Sequence, residues 1–489
     1  MRRFASLSAL ALATLMGASP AAAIDPFFPT FGNNGIDVLH YDLDLEVAPR
    51  PGTLDGRAEL LISAQKRLEE FSLDLAGLIV SRVTVNRVPA DFEQADDKLI
   101  VMPRAPIGKG STFKLSVAYA GRPDPIPDPT APGSDIELGW FTFGDASYVV
   151  SEPVGASTFY PANDEPTDKA TFSITVTIPA DYITAANGVL RSVRTTGSKK
   201  RFHWEMRQPM ATWLATVHIN QFRLQLTRAA DGTPIRVYYT DATPPADVDR
   251  YALAGEILTW MEELVGPYPF GSYGSVVVDD PVLFYALETQ AMSTFPLGTA
   301  DEATVAHEVA HQWFGNSASI AKWEDLWIAE GTASYFEVLW PNRDDPAAFD
   351  AEMLEIYDYV AANGIGPAVV EAPEEMFTDR TYLRGASALY ALREKVGDRT
   401  FFRILRTFVT AYRGRNATSR DSIELAVVVS GRPSVAPLLH AWLYDEPVPA
   451  LAGHAAATAL QEEGPALPPD VVGLRCGRGA HRGGRPTCD

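Results

Sequence analysis

The residues of this chain best able to do chemistry are two histidines one helical turn apart with a glutamate between them. They lie in His307-Glu308-Val309-Ala310-His311, and Glu330 follows after 18 intervening residues. On a helix, positions i and i+4 share a face. The imidazoles of His307 and His311 therefore stand side by side, where one tetrahedral Zn²⁺ takes both and Glu330 supplies a third ligand. Two His and one Glu leave the fourth position open, which marks a catalytic zinc site rather than a structural one. Glu308 projects beside the imidazoles, free to act as a base. The plain alternative is an amphipathic helix with two satisfied histidines. With eight His in 489 residues, a chance H-E-x-x-H arises on the order of one per cent of the time. The stronger reading is one Zn²⁺ per chain. Asp301 and Glu302 place acids at the start of the same helix, where its dipole favours them.

The pattern extends well beyond the ligands. His307 to Asn316 reads His-Glu-Val-Ala-His-Gln-Trp-Phe-Gly-Asn, and Trp323 to Gly331 reads Trp-Glu-Asp-Leu-Trp-Ile-Ala-Glu-Gly. Both segments resemble the gluzincin aminopeptidases, the family of membrane alanyl aminopeptidase and leukotriene hydrolase. Further echoes are Glu165-Pro166, Pro209 to Leu214, Gly266 to Phe270, Ala286-Leu287-Glu288 and Tyr382-Leu383-Arg384-Gly385. The resemblance covers roughly Val38 to Pro449. It implies an α+β multidomain chain, with an N-terminal saddle-shaped β domain before a thermolysin-like, mainly α-helical catalytic domain. It also implies a short member without the large C-terminal helical domain of many relatives.

The resemblance assigns further roles. Glu308 takes a proton from water and delivers it to the leaving amine. Tyr382 donates its phenol to the oxygen that becomes negative in the transition state. Glu288 keeps the carboxylate of the family's Gly-x-Met-Glu-Asn segment and would anchor a free N-terminal ammonium, with Ala286 in the same substrate-binding stretch. Tyr285 stands where the family has glycine and Thr289 where it has asparagine, a departure that bears on the shape of the substrate groove. Glu152, in Ser151-Glu152-Pro153, aligns as a second amine anchor; the alternative is a surface-loop carboxylate. Glu337 lies seven residues after Glu330 on the same helix face and could orient a zinc-bound imidazole, or simply face solvent. The first functional reading is a secreted zinc aminopeptidase acting on peptides. The second is a zinc hydrolase of altered specificity, either a peptidase tolerating blocked N-termini or an epoxide hydrolase. The third is an inactive zinc-stabilised binding scaffold, which would need neither Glu308 nor Tyr382.

Residues 1–23 read as a secretory signal: Arg2 and Arg3, an apolar Leu7 to Met16, and Ala21-Ala22-Ala23 before the cleavage point. The apolar run is too short for a membrane anchor. A secreted, extracellular or periplasmic protein with no stable membrane insertion is expected once the signal is removed. The formal charge of −21 argues against nucleic acid or anionic membrane as a partner. Nothing in the sequence assigns an oligomeric state. The two cysteines, Cys476 and Cys488, sit in the tail and could form one small disulfide. Their positions exclude thiolate zinc ligation elsewhere. Asn416-Ala417-Thr418 is a glycosylation sequon, relevant only in a host that modifies secreted proteins.

The elements that must position these residues fall into two kinds. Residues 24–239 read as all-β: Tyr41 to Val47 alternates apolar with acidic residues, and Phe172, Ile174, Val176 and Ile178 alternate with Ser and Thr. From 240 to 449 the pattern is mainly helical. Helices are expected over Tyr251–Leu264, near Ala303–Phe314 and Ile328–Leu339, and over Ala347–Ala362, Arg384–Val396 and Thr400–Tyr412, with a buried strand at Ser275–Val278. Residues 450–489, rich in Ala, Gly and Pro, read as a mostly disordered tail.

Overall fold

The computed structural model describes residues 25–451 and 454. The expected signal at 1–23, the two tail cysteines and most of the 450–489 tail lie outside the described residues.

Alternation decides the first half. In strand Ile36–Ala48, Tyr41, Leu43, Leu45 and Val47 are buried while Asp42 and Glu46 face solvent. Strand Thr53–Ala64 shows the same parity, as one apolar face of a half-solvated sheet requires. Eight strands form that sheet, in the order Val189–Thr196, Lys199–Met210, Ala170–Pro179, Ile36–Ala48, Thr53–Ala64, Thr112–Gly121, Ile79–Val85, Val88–Pro89. One interior pair, Ile36–Ala48 with Ala170–Pro179, is parallel. The long excursion between those two strands carries Glu152. A three-stranded and a five-stranded sheet complete the β region.

The second half begins earlier than residue 240. Strands Arg223–Arg228 and Pro234–Tyr239 belong to a four-stranded sheet with Tyr273–Val278 and Ser293–Pro296. Pro234–Tyr239 pairs in parallel with Tyr273–Val278, placing Ile235 opposite Tyr273. The 239/240 boundary is therefore corrected to just before Arg223: the hairpin is all-β in pattern, but its partners come later in the chain.

Helices Glu302–Ala310, Trp327–Leu339, Pro346–Ala362, Gly385–Val396, Asp398–Ala411, Ser419–Ser430 and Val435–Tyr444 build most of the rest. The helix expected over Tyr251–Leu264 is two, Pro245–Ala252 and Ala254–Val265, with a turn at Leu253. Pro245 starts the first of them early, because proline suits the first helical turn. Helix Ser419–Ser430 was not anticipated. It starts with a capping box in which Thr418 accepts from the Asp421 N–H and Asp421 accepts from the Thr418 N–H. The Asn416 amide of the sequon donates to the Pro166 carbonyl at 2.9 Å and the Ile320 carbonyl at 2.7 Å. It ties the two halves together and is not presented as a free glycan acceptor. Among the described residues, no helix is long and apolar enough to cross a membrane.

Candidate active site

Helix Glu302–Ala310 begins where Asp301 accepts a hydrogen bond from the Thr304 N–H. His307 lies in its last turn and His311 directly after it. Helix Trp327–Leu339 packs alongside and brings Glu330 to both rings. The Glu330 Oε2 lies 3.4 Å from His307 Nε2 and 3.5 Å from His311 Nε2. Two ligands held about 2.0–2.1 Å from a tetrahedral Zn²⁺ stand roughly 3.4 Å apart, so this donor set fits the ion. The far side of each imidazole is also fixed. His307 Nδ1 meets Glu337 Oε2 at 2.8 Å, and His311 Nδ1 meets the Phe314 carbonyl at 3.2 Å. A carbonyl oxygen only accepts, so His311 Nδ1 is the donor and its Nε2 lone pair is left for a metal. Glu337 is buried; the solvent-facing alternative for it does not hold.

Burial and charge shape the carboxyls around this point. Burial works to raise Glu330, but His311 and His307 together hold it down at about 2. Burial raises Glu308 to about 8, partly opposed by the same imidazoles. Glu288 is raised by burial as well, with His311 pulling against it. The Glu308 Oε2 is buried and makes no hydrogen bond among the described residues. It is an acceptor without a donor, placed beside the metal ligands.

Glu288 lies on the segment between strands Tyr273–Val278 and Ser293–Pro296. Leu287 pairs with Thr294 through two backbone hydrogen bonds, while Ala286 is half-buried and Tyr285 buried. Glu152 is buried too, so the surface-loop alternative for it fails. Oxygen atoms of Glu152, Glu288 and Glu330 all lie within 4.8 Å of one another. The structure thus brings the expected amine anchors from both halves of the chain to the expected zinc ligands.

Residues not singled out as functional hold this arrangement. Gln312 donates to the Glu288 carbonyl at 3.2 Å and accepts from the Ala291 N–H at 2.8 Å. Asn316 donates to the same Glu288 carbonyl at 2.6 Å. Lys169, from the β region, donates to the Asn316 carbonyl at 2.8 Å. Asn187 donates to the Leu214 and Gln290 carbonyls, each at 2.8 Å. Gln312 and Asn316 are in the extended His307–Asn316 segment; the signal was their presence there, but not their task.

Tyr382 sits in a π-helical turn, Arg380–Arg384, closed by the Arg384 N–H to the Asp379 carbonyl five residues back. Such turns recur at functional sites. The phenol ring lies over the His307 ring, with centroids 6.2 Å apart and planes 18° from parallel. Arg384 anchors the turn by donating to the Ile365 carbonyl, just after helix Pro346–Ala362, and to the carbonyls of Ala441, Trp442, Asp445 and Glu446, at and beyond the end of helix Val435–Tyr444. Gly385 meets Gly331 where the following helix crosses the Glu330 helix. A Cβ on Gly331 would come within 2.7 Å of the Gly385 Cα, so neither position has room for a side chain. The glycines of Ala-Glu-Gly and Tyr-Leu-Arg-Gly thereby set the approach of Tyr382 to the metal ligands.

Two family models match the chain: the peptidase M1 N-terminal domain over residues 38–214 and the peptidase family M1 domain over residues 252–442. The M1 zinc metallopeptidase from Deinococcus radiodurans, in its complex with a Tyr-Ser-Ala substrate, is 32% identical, with a TM-score of 0.81 over 87% of this chain and 98% of that one. This chain belongs to peptidase family M1. Among curated relatives, aminopeptidase A of Gloydius brevicauda is 24% identical over 88% of this chain and 48% of its own length. Endoplasmic reticulum aminopeptidase 1 of Rattus norvegicus is 25% identical over 83% of this chain and 47% of its own. The chain spans about half the length of these curated relatives. The M1 assignment carries the α+β architecture of a β-rich N-terminal domain followed by a helical catalytic domain, and it makes the chain a member of a zinc metallopeptidase family.

Proposed function

We propose that this M1 protein is a zinc aminopeptidase that removes the N-terminal residue of peptides, holding one Zn²⁺ per chain, and that it is exported. Export rests on the signal-like residues 1–23 alone. The observation that carries the aminopeptidase reading is the convergence of Glu152 and Glu288 on Glu330. A carboxylate pair beside the metal ligands suits a free ammonium, which forms charge-assisted hydrogen bonds to both.

His307, His311 and Glu330 would hold the ion, which when bound supplies Lewis-acid chemistry at its open position. Glu308 accepts the proton of the attacking water at its unpaired Oε2 and returns it to the leaving nitrogen. Tyr382 donates its O–H to the carbonyl oxygen as that oxygen gains charge. Glu288 and Glu152 grip the ammonium, which sets the scissile bond one residue from the N-terminus. A blocked terminus brings no positive charge to these buried carboxylates, a costly exchange for a free ammonium. This favours the aminopeptidase over the blocked-terminus peptidase, and peptides over epoxides.

The test is release of a chromophore from amino-acyl anilides and from their N-acetylated forms, with metal analysis of the same sample. One zinc per chain, activity abolished by a strong chelator, and a marked preference for the free amine are expected. Activity that survives chelation in a zinc-free sample would contradict the assignment.

A further inference from the structure

We propose that His218 is a positioning residue for recognition of the substrate's ammonium. With Tyr148 it fastens the strand that leads to Glu152 onto the segment that carries Glu288, and so sets the gap between the two carboxylates. Its task depends on the aminopeptidase reading of those carboxylates.

His218 is buried on strand Val217–Asn220 of the five-stranded sheet. Its Nε2 stands 2.9 Å from Thr216 Oγ1 and 3.1 Å from Thr294 Oγ1. Thr216 gives its hydroxyl hydrogen to the Val149 carbonyl at 2.9 Å. Toward the ring it can only accept, so Nε2 carries the hydrogen and Thr294 shares it. Val149 precedes Glu152 by three residues. Thr294 belongs to strand Ser293–Pro296 in the other half of the chain, and its backbone exchanges two hydrogen bonds with Leu287, beside Glu288. One imidazole thus links the strand that leads to Glu152 with the backbone next to Glu288. A second tie lies at the other end of the Glu288 segment. The Tyr148 hydroxyl donates to Asp280 Oδ2 at 2.9 Å, and both residues are buried. The other Asp280 oxygen accepts from the Val282 N–H at 3.0 Å. The chain leaving strand Tyr273–Val278 and entering strand Ser293–Pro296 is therefore held at both ends to the strand that leads to Glu152.

The imidazole does no acid–base work here. Burial brings it down to about 3, so it stays neutral near pH 7, and its Nδ1 is buried without a hydrogen-bond partner among the described residues. An apolar side chain would leave no such nitrogen and would avoid its desolvation cost. What the imidazole supplies is direction: one N–H fixes how the two sheets meet where they carry the anchors. Two carboxylates must reach one ammonium together, and hydrogen bonds weaken steeply as their geometry departs from the ideal. A misplacement of about 1 Å can cost about 10²-fold. The hydrogen bonds of His218 go to Thr216 and Thr294, not to a zinc ligand, Glu308 or Tyr382. Its loss should therefore weaken the grip on the ammonium more than the chemical step.

The test measures kcat and KM for an amino-acyl anilide, and the rate on its N-acetylated form, with zinc-loaded wild type, His218→Leu and His218→Gln. Two further variants, Thr294→Val and Tyr148→Phe, each remove one hydroxyl and little else. His218→Leu should raise KM for the free amine about fivefold, less than the tenfold or more that loss of a whole charge-assisted hydrogen bond brings. Its kcat, zinc content and rate on the acetylated substrate should stay close to wild type. His218→Gln, whose side-chain N–H can reach the same hydroxyls, should restore most of the KM. Thr294→Val and Tyr148→Phe should raise KM in the same direction by less. A histidine with only a folding role would lower the amount of active protein, scale both substrates alike and leave KM unmoved. That result overturns the proposal, as does an unchanged KM in both hydroxyl variants should His218→Leu fail to fold. If wild type prefers the free amine and every variant keeps that preference, the positioning role falls and the aminopeptidase reading stands. If wild type cuts both substrates equally well, the aminopeptidase reading falls and the role of His218 falls with it.

Discussion

The two sides of the active site are assembled in different ways. The metal-ligand side comes from one stretch of chain, His307 to Glu337, folded into two adjacent helices. Helical periodicity places its two imidazoles, and contacts to Glu337 and Phe314 lock their far nitrogens. The amine side is drawn from distant parts of the sequence. Glu152 arrives from the β region and Glu288 from the segment before a sheet strand, held by Gln312, Asn316 and Asn187. Specificity built across two domains depends on many hydrogen bonds that bear no reactive group.

That contrast can be broken residue by residue. The largest effect is expected from Glu308→Gln, which keeps the shape and the zinc but removes the base. General-base catalysis contributes about 10²–10⁴-fold, so kcat should fall by that order with metal content unchanged. A near-wild-type rate in a zinc-loaded variant would remove Glu308 from its role.

Tyr382→Phe should come next. Loss of one donor to a developing oxyanion costs roughly 2.7–4 kcal/mol of barrier. The loss should appear in kcat with KM little changed. A rise in KM alone would make Tyr382 a substrate-binding residue and move it to the amine side of the comparison.

A smaller effect is expected from Glu337→Gln. Partners that orient metal-bound imidazoles typically contribute about 10–100-fold in metal affinity or activity. Competition against a chelator of known affinity should show weaker zinc binding, and saturating zinc should restore much of the rate. Unaltered zinc affinity would mean that helix packing alone fixes His307.

What could be read in the sequence follows the same division. His307, Glu308, His311 and Glu330 follow from helical spacing and ligand chemistry, without any relative in hand. Glu288, Glu152 and Tyr382 carry no local signature and emerged only through resemblance. Their convergence on the zinc ligands is a matter of chain-distant packing. The Arg223–Tyr239 hairpin shows why a boundary is hard to place. Its alternation is that of any strand pair, and only its parallel partner, Tyr273–Val278, assigns it to the second half. The π turn around Tyr382 has no periodic signal, since its i→i+5 closure follows neither helical nor strand spacing. Helix Ser419–Ser430 has a legible start in the capping pair Thr418 and Asp421. The glycines at 331 and 385 were visible as motif letters, but their purpose, a backbone crossing without room for a Cβ, needed three dimensions.

The most direct test of the central claim compares cleavage of free-amine and N-acetylated substrates by wild type and by Glu288→Ala. If the carboxylates brought together across the two domains recognise the ammonium, wild type strongly prefers the free amine. Glu288→Ala then narrows that preference by about tenfold or more, as loss of a charge-assisted hydrogen bond should, while zinc content stays at one per chain. Equal cleavage of both substrates by wild type, or an unchanged preference in Glu288→Ala, would contradict it.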